Sequence, residues 1–137
     1  MLYLQKNVRS VLKGFVPAIL WFILSTILLT LPGSDLPKAG WLEAIHFDKF
    51  VHIGMFAGMV WLWCLGIQRR TRDIARLRRA FGWLALIWLG YGVGMEFVQR
   101  YFIPNRSFDL SDMAADAVGC LAGWWYSRRA YLKRRPA

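Results

Sequence analysis

Residues 14–31 read GFVPAILWFILSTILLTL, a run of 18 residues without a charged side chain. At about 1.5 Å of helix rise per residue, such a run comes close to crossing the hydrocarbon core of a bilayer, which is about 30 Å thick. Pro17 falls in the first turn of the expected helix, where a missing backbone N–H is tolerated. The segment therefore predicts a transmembrane helix.

Three basic residues, Lys6, Arg9 and Lys13, precede this run, as basic residues also precede the apolar core of a signal peptide. The run is longer than a typical signal-peptide core, and residues 31–35, LPGSD, contain no A-x-A cleavage sequence. We therefore expect a membrane anchor that is retained.

Three further apolar runs follow, and each is apolar around its whole circumference for most of its length. This pattern is typical of a membrane span and not of a surface helix, which has one polar face. Ser111 is a suitable cap for the last helix, and Asp112 in its first turn complements the positive end of the helix dipole. A soluble protein would need more than 137 residues to surround four buried helices. The sequence predicts one domain, an all-α bundle of four transmembrane helices over about residues 14–31, 50–67, 80–98 and 111–128.

The basic residues indicate how these helices are oriented. Of the 18 Lys and Arg residues, 14 lie in residues 1–13, 69–79 and 128–135, and the other four lie in the two remaining connections. Cytoplasmic segments of membrane proteins are enriched in Lys and Arg. We therefore expect both termini in the cytoplasm, as basic tails of residues 1–13 and 129–137.

The net charge of +10 is also found in proteins that bind nucleic acids. Here, however, long apolar runs separate the basic clusters, and 57% of the residues are hydrophobic, so we expect membrane lipids and no nucleic acid as partners. Cys64 and Cys120 lie in apolar runs without CxxC or Cys/His spacing, which excludes a recognisable zinc site and predicts packing roles. We expect no cofactor.

Three of the runs carry a Gly-x-x-x-Gly pair, which lets helix backbones approach closely in lipid. Such pairs mediate either packing within one chain or homodimerisation. We favour packing within the chain because all three helices also carry polar groups, and a homo-oligomer through these faces is the alternative. The pairs are Gly54 and Gly58, Gly90 and Gly94, and Gly119 and Gly123.

Eight polar or charged residues stand at corresponding ends of the last three runs, which places them all at the outer face of the membrane in the expected orientation. Ionisable side chains inside spans cost roughly 3 kcal/mol each, so they are rare and usually face a bundle interior or a water-filled cavity. The helix rise places at least four of them in the outer half of the hydrocarbon core. The candidate ligand-binding residues are Asp48, Lys49, His52, Glu96, Gln99, Arg106, Asp112 and Asp116.

The spacing of these residues is similar to that of a known family. The patterns are Asp48-Lys49-x-x-His52, Gly92-x-x-x-Glu96-x-x-Gln99 and Arg106-x-x-x-x-x-Asp112-x-x-x-Asp116-x-x-Gly119. Together, over about residues 15–126, they resemble the VanZ-like family of small bacterial membrane proteins. The resemblance implies a multi-pass protein of the bacterial cytoplasmic (inner) membrane, in a family named for a member associated with resistance to the antibiotic teicoplanin. Asp116 departs from the family pattern, which usually has Asn there.

Two interpretations of the eight residues do not involve catalysis. In the first, they recognise an anionic envelope lipid or an antibiotic-related ligand at the outer face, with Lys49, Arg106 and a protonated His52 as phosphate ligands. In the second, they form buried ion pairs that fix the register of the helices, for example Asp48 or Glu96 with Arg106. We favour the binding site because so many ionisable groups are costly in a span.

A catalytic centre is the third interpretation. Glu96 or Asp112 would act as the base, with His52 as its partner or as a metal ligand, on an envelope lipid. Asp, Glu and His are ligands that a divalent ion uses, but H-E-x-x-H and comparable spacings are absent, so we expect no metal site. An enzyme is therefore the less favoured prediction.

Overall fold

The computed structural model describes residues 2–32, 34 and 46–132, with side chains from Lys13 onward. The predicted basic tail beyond residue 132 and the connection that contains Lys38 lie outside the described residues. The described part of the chain confirms the all-α prediction. Its helices are α1 (Leu2–Thr30), α2 (Phe47–Gln68), α3 (Ile74–Phe102) and α4 (Leu110–Leu132).

Each helix is longer than the apolar run that predicted it. Hydropathy marks only the lipid-compatible part of a helix, whereas Arg, Lys and Leu have high helix propensity and extend the ends. The largest extension is in α1, where the expected N-terminal tail is helical from Leu2. Pro17 consequently lies in the helix interior and not in the first turn, so that prediction was wrong. The Pro17 nitrogen cannot donate to the carbonyl one turn earlier.

Three of the described helices are long and apolar enough to cross a membrane: α1 from Lys13, α2 and α3. The last helix, α4, has 23 residues but carries Asp112, Asp116, Arg128 and Arg129, which lower its hydropathy. Length and composition therefore support a membrane protein, and the fourth span remains a proposal.

The bundle is built around α2 and α4, which run parallel and form the most extensive helix contact. Gly119 and Gly123 permit this approach, because a Cβ atom would lie 2.6 Å from the Ile53 carbonyl oxygen at the first position and 2.5 Å from that of Ala57 at the second. This glycine pair thus packs within the chain, as predicted.

The other glycine pairs behave differently. A Cβ atom at Gly58 would lie 2.8 Å from the Trp21 indole nitrogen of α1, but Cβ atoms at Gly54, Gly90 and Gly94 would have no neighbour within 4 Å. The pair in α3 therefore makes no close helix contact within the described chain, contrary to the prediction of packing there.

The apolar core lies between α2 and α3. Phe56, Met59 and Cys64 of α2 are fully buried against residues such as Phe81 of α3. The first helix packs on this core through Trp21, whose indole N–H donates to the Met55 carbonyl oxygen at 2.9 Å. Both cysteines are free and buried, as their packing role requires. The polar candidates lie beyond this core, at one end of the bundle.

Candidate functional site

The candidate site lies where α2 and α4 begin and where α1 and α3 end. The first backbone N–H groups of a helix have no intrahelical partner and carry partial positive charge, so carboxylates are stabilised there. Asp48 lies in the first turn of α2, and Asp112 lies in the first turn of α4. Parallel packing of these two helices brings both carboxylates to the same end of the bundle.

Lys49 is held by three carboxylates. Its ammonium nitrogen lies 2.8 Å from Asp48 Oδ2 and 2.9 Å from Asp109 Oδ2, and it also bonds Asp112 Oδ1. An ammonium group has three N–H donors, so these carboxylates use its whole hydrogen-bonding capacity. The anionic-ligand prediction required Lys49 to bind a phosphate. In this arrangement all three N–H groups of Lys49 already have carboxylate partners.

His52 lies one turn deeper, between two further carboxylate contacts. Its Nδ1 atom forms a 2.8 Å hydrogen bond with Asp116 Oδ1, and its Nε2 atom lies 3.8 Å from Asp112 Oδ2, beyond hydrogen-bonding distance. Gly92 of α3 makes room for this arrangement, since a Cβ atom there would lie 2.7 Å from Asp116 Oδ2. His52 and Asp116 are both buried.

Glu96 joins α3 to the start of α4. The backbone N–H of Asp109 donates to Glu96 Oε2 at 2.9 Å, and the Glu96 residue is 1% exposed. This bond holds Asp109 in the position from which its side chain contacts Lys49. Glu96 is therefore part of the same assembly, but it does not form an ion pair with Arg106 in the described chain.

Gln99 and Arg106 donate hydrogen bonds to the end of α1 and not to the acids. Gln99 Nε2 donates to the Leu29 carbonyl oxygen at 2.8 Å, and Arg106 Nε donates to the Leu31 carbonyl oxygen at 3.3 Å. The last carbonyl groups of a helix lack intrahelical donors, so these side chains satisfy the end of α1. The suggested ion pairs of Arg106 with Asp48 or Glu96 do not form among the described residues, and that prediction was wrong.

The sequence analysis missed Asp109. This residue precedes α4, and its Oδ1 atom accepts hydrogen bonds from the Ser111 backbone N–H at 2.7 Å and the Ser111 hydroxyl at 2.6 Å. Asp109 is therefore the cap, and the prediction that Ser111 caps the helix was wrong. These bonds and the Lys49 ion pair hold the pKa of the Asp109 carboxyl well below its usual range. An Asp directly before a helical segment is a signal that the sequence contained.

We call Lys49, His52 and the acids around them the carboxylate cluster. Five of the eight acidic residues of a chain with a net charge of +10 converge in it. Among the residues that the structure describes, no group of three or more His, Cys, Asp or Glu side chains is arranged to hold a metal ion. The five acids of the carboxylate cluster are Asp48, Glu96, Asp109, Asp112 and Asp116.

A sequence model of the family described as VanZ/LLP1 matches residues 4–131. No curated protein and no solved structure matches the chain. The matched range contains all of α2 and α3 and nearly all of α1 and α4. It also contains the whole carboxylate cluster, Gln99 and Arg106. Because the match spans nearly the whole chain, the protein belongs to the VanZ/LLP1 family.

Proposed function

We propose that this chain is an integral protein of the bacterial inner membrane, with four spanning helices and both termini in the cytoplasm. Support comes from the distribution of charge along the bundle. Within the described chain, 11 of the 18 basic residues lie at the start of α1, over residues 69–79 and at the end of α4, which is the end opposite the carboxylate cluster. The positive-inside rule assigns that end to the cytoplasm and the carboxylate cluster to the outer face.

The fourth span is proposed because α4 packs along α2. Asp112 and Asp116 are buried against Lys49 and His52, so the acids that lower the hydropathy of α4 do not face lipid. Ionisable residues in spans are tolerated when they face the bundle interior and are paired.

The carboxylate cluster is the proposed binding site for a polar group of an envelope lipid or an antibiotic-related ligand. One observation carries this proposal: five carboxylates surround only one lysine and one histidine. Among the buried members of the cluster, the three acids Glu96, Asp112 and Asp116 stand against one base, His52, and unpaired buried charge is costly. The excess of acid is explained if a ligand supplies further positive charge.

The excess of acids in the carboxylate cluster favours a cationic ligand over the anionic ligand that the sequence analysis predicted. An anionic headgroup would meet this excess of carboxylates, and Lys49 and His52 already contact acids. We therefore propose that the group recognised at the cluster is cationic, such as the ammonium group of a lipid or of an antibiotic. The anionic alternative depends on Arg106, whose side chain donates to the Leu31 carbonyl oxygen and forms no ion pair within the described chain.

The experiment compares bacteria that express the parent chain or single variants. Asp112→Asn reduces the charge of the cluster, and we expect it to alter sensitivity to teicoplanin or another envelope-targeting antibiotic. The matched control is Asp73→Asn, because Asp73 caps α3 at the opposite end and Asn is an equally good cap. Unchanged sensitivity with Asp112→Asn at normal expression contradicts the proposal, and loss of the folded variant in detergent favours a structural network.

A second candidate function is acid–base catalysis on an envelope lipid, as the sequence suggested for Glu96, His52 and Asp112. The observation in its favour is the hydrogen bond between Asp116 Oδ1 and His52 Nδ1, which orients the other ring nitrogen toward Asp112. A general base is often oriented by a carboxylate in this way. This function requires turnover of an envelope lipid by purified protein, and loss of turnover in Glu96→Gln with the fold retained.

A further inference from the structure

A second feature lies on the outer surface of the bundle, between α2 and α4. It is an open groove of about 520 Å³, a volume within the range of small-molecule sites. Small residues form its floor and aromatic rings form its walls, and none of them belongs to the carboxylate cluster. The principal lining residues are Ala57, Gly58, Trp61, Ala122, Trp125 and Tyr126.

The groove extends toward the Arg-rich end of the bundle. Ala57 lies eight residues after Lys49 along α2, which corresponds to about 12 Å of helix rise. At the other end, the Arg129 guanidinium carbon lies 4.6 Å from the centroid of the Trp125 ring. A cation therefore stacks on one of the aromatic rings that line the groove. The groove therefore has an apolar interior and a cationic mouth.

A second arginine, Arg69, lies at the same end of the bundle as this mouth. The indole N–H of Trp61 donates to the Tyr131 hydroxyl at 2.8 Å, and Tyr131 lies in the last turn of α4. Arg69 follows directly after the last residue of α2 and is exposed. Trp61 and Tyr131 thus connect the groove wall to the end of α4.

These two arginines have no acidic partner within the described chain. The only described acid near this end is Asp73, and its carboxylate lies 3.2 Å from Arg76. Phosphate is the anion that arginine binds in bidentate geometry at a membrane surface. A zwitterionic lipid would gain less here, since no described carboxylate near Arg69 or Arg129 is free to pair with its ammonium group.

We propose that the groove binds one hydrocarbon chain of an anionic glycerophospholipid, with Arg129 and Arg69 at its phosphate. The lipid comes from the leaflet that faces the Arg-rich helix ends. Basic pockets between transmembrane helices bind anionic headgroups, and each basic residue contributes about fivefold to such a preference. This site is separate from the carboxylate cluster, so the two proposals are tested independently.

The test uses the full chain in phosphatidylcholine nanodiscs that contain a fixed fraction of phosphatidylglycerol. Either lipid is brominated on its acyl chains, and tryptophan fluorescence is recorded because bromine quenches only nearby indoles. We expect brominated phosphatidylglycerol to quench more strongly than brominated phosphatidylcholine at equal mole fraction. This excess should fall in Trp125→Phe and largely disappear when Trp61→Phe is added, which assigns the signal to the two indoles of the groove.

Two variants test the contributions of the charged mouth and of the apolar groove separately. Arg129→Gln should lower the phosphatidylglycerol preference about fivefold, and Ala122→Leu should abolish the excess quenching by filling the groove without removing charge. The matched control is Arg78→Gln, which removes an exposed charge from α3 at the same end and should change nothing.

Equal quenching by the two lipids would overturn the proposal. It would also be overturned if Arg78→Gln reduced the preference as much as Arg129→Gln, since the Arg-rich end would then attract anionic lipid without a site. Cross-linking of two copies through Cys introduced at Ala122, with phosphatidylglycerol unable to compete, would assign the groove to a second copy of the chain and would equally refute it.

Discussion

His52 of α2 and Asp116 of α4 share a hydrogen bond of 2.8 Å, with side chains that are only 5% and 2% exposed. The bond connects the two parallel helices at a depth where water is scarce. Removing one partner of a buried charged pair is costlier than removing both, because the remaining group keeps its desolvation penalty without compensation. This pair is therefore a sensitive probe of the carboxylate cluster.

We predict that His52→Ala lowers the free energy of unfolding by about 3–5 kcal/mol, because Asp116 loses its partner in a buried setting. The comparison is Asp116→Asn, in which the amide oxygen still accepts a hydrogen bond and the loss should be smaller. Unfolding in mixed detergent micelles, followed by circular dichroism, gives both values. Equal losses in the two variants would show that the bond itself contributes little.

A second prediction concerns the contact between α2 and α4. Gly119→Ala should separate the helices and destabilise the fold, because its Cβ atom would lie 2.6 Å from the Ile53 carbonyl oxygen, which cannot move aside. The matched control is Gly90→Ala, where a Cβ atom meets nothing within 4 Å and helix propensity favours Ala by about 1 kcal/mol. Melting temperatures in one detergent should therefore shift in opposite directions, and an unchanged or raised value for Gly119→Ala would contradict the close approach.

The sequence predicted that the candidate residues converge at one end of the helices. It did not predict which acid pairs with which base. Apolar length and the spacing of acids and bases placed Asp48, Lys49, His52, Glu96, Asp112 and Asp116 at one end of the helices, and the structure brings these six together. Which acid contacts which base depends on the parallel packing of α2 and α4. That packing rests on Gly119 and Gly123, whose spacing predicts a close helix contact but not the helix with which the contact is made.

The connection between α3 and α4 shows the same limit. Arg106 and Asp109 are three residues apart, and either could contact the cluster as far as sequence spacing indicates. The backbone turns at Asn105, whose φ of 56° is left-handed, a conformation that Asn tolerates better than most residues. After this turn Arg106 bonds the end of α1, whereas Asp109 contacts Lys49. Its positive charge made Arg106 the predicted member of the cluster. The turn at Asn105 instead brings Asp109 into contact with Lys49.

A third prediction uses the Asp109 carboxyl, which lies outside the apolar spans and has a pKa well below the ordinary value of 3.8. A carboxyl with a lowered pKa in the folded state contributes stability that is fully present above the unfolded pKa. This contribution is lost as the pH falls through the folded pKa. Between these values the unfolded chain binds more protons than the folded one, so stability decreases with decreasing pH.

We therefore expect Asp109→Asn to flatten the pH dependence of stability below about pH 4, because Asn still caps the helix but does not titrate there. The measurement is the denaturation midpoint between pH 2.5 and pH 7 for the parent and the variant. Above about pH 5 the difference between the two chains should be constant. An identical slope for both below pH 4 would show that Asp109 keeps its ordinary pKa in the folded protein.

A fourth prediction separates the helix-end contacts from the carboxylate cluster. Gln99→Leu leaves the buried Leu29 carbonyl without its donor, which costs about 1–3 kcal/mol, and Arg106→Gln removes the donor to the Leu31 carbonyl. Hydrogen exchange should accelerate in the last turn of α1 for both variants, while the first turns of α2 and α4 keep their protection. If either variant also exposes the start of α4, that residue supports the cluster directly. Altered antibiotic sensitivity in Arg106→Gln with protection of α1 unchanged would instead assign Arg106 to ligand binding, since the helix end would not need its bond.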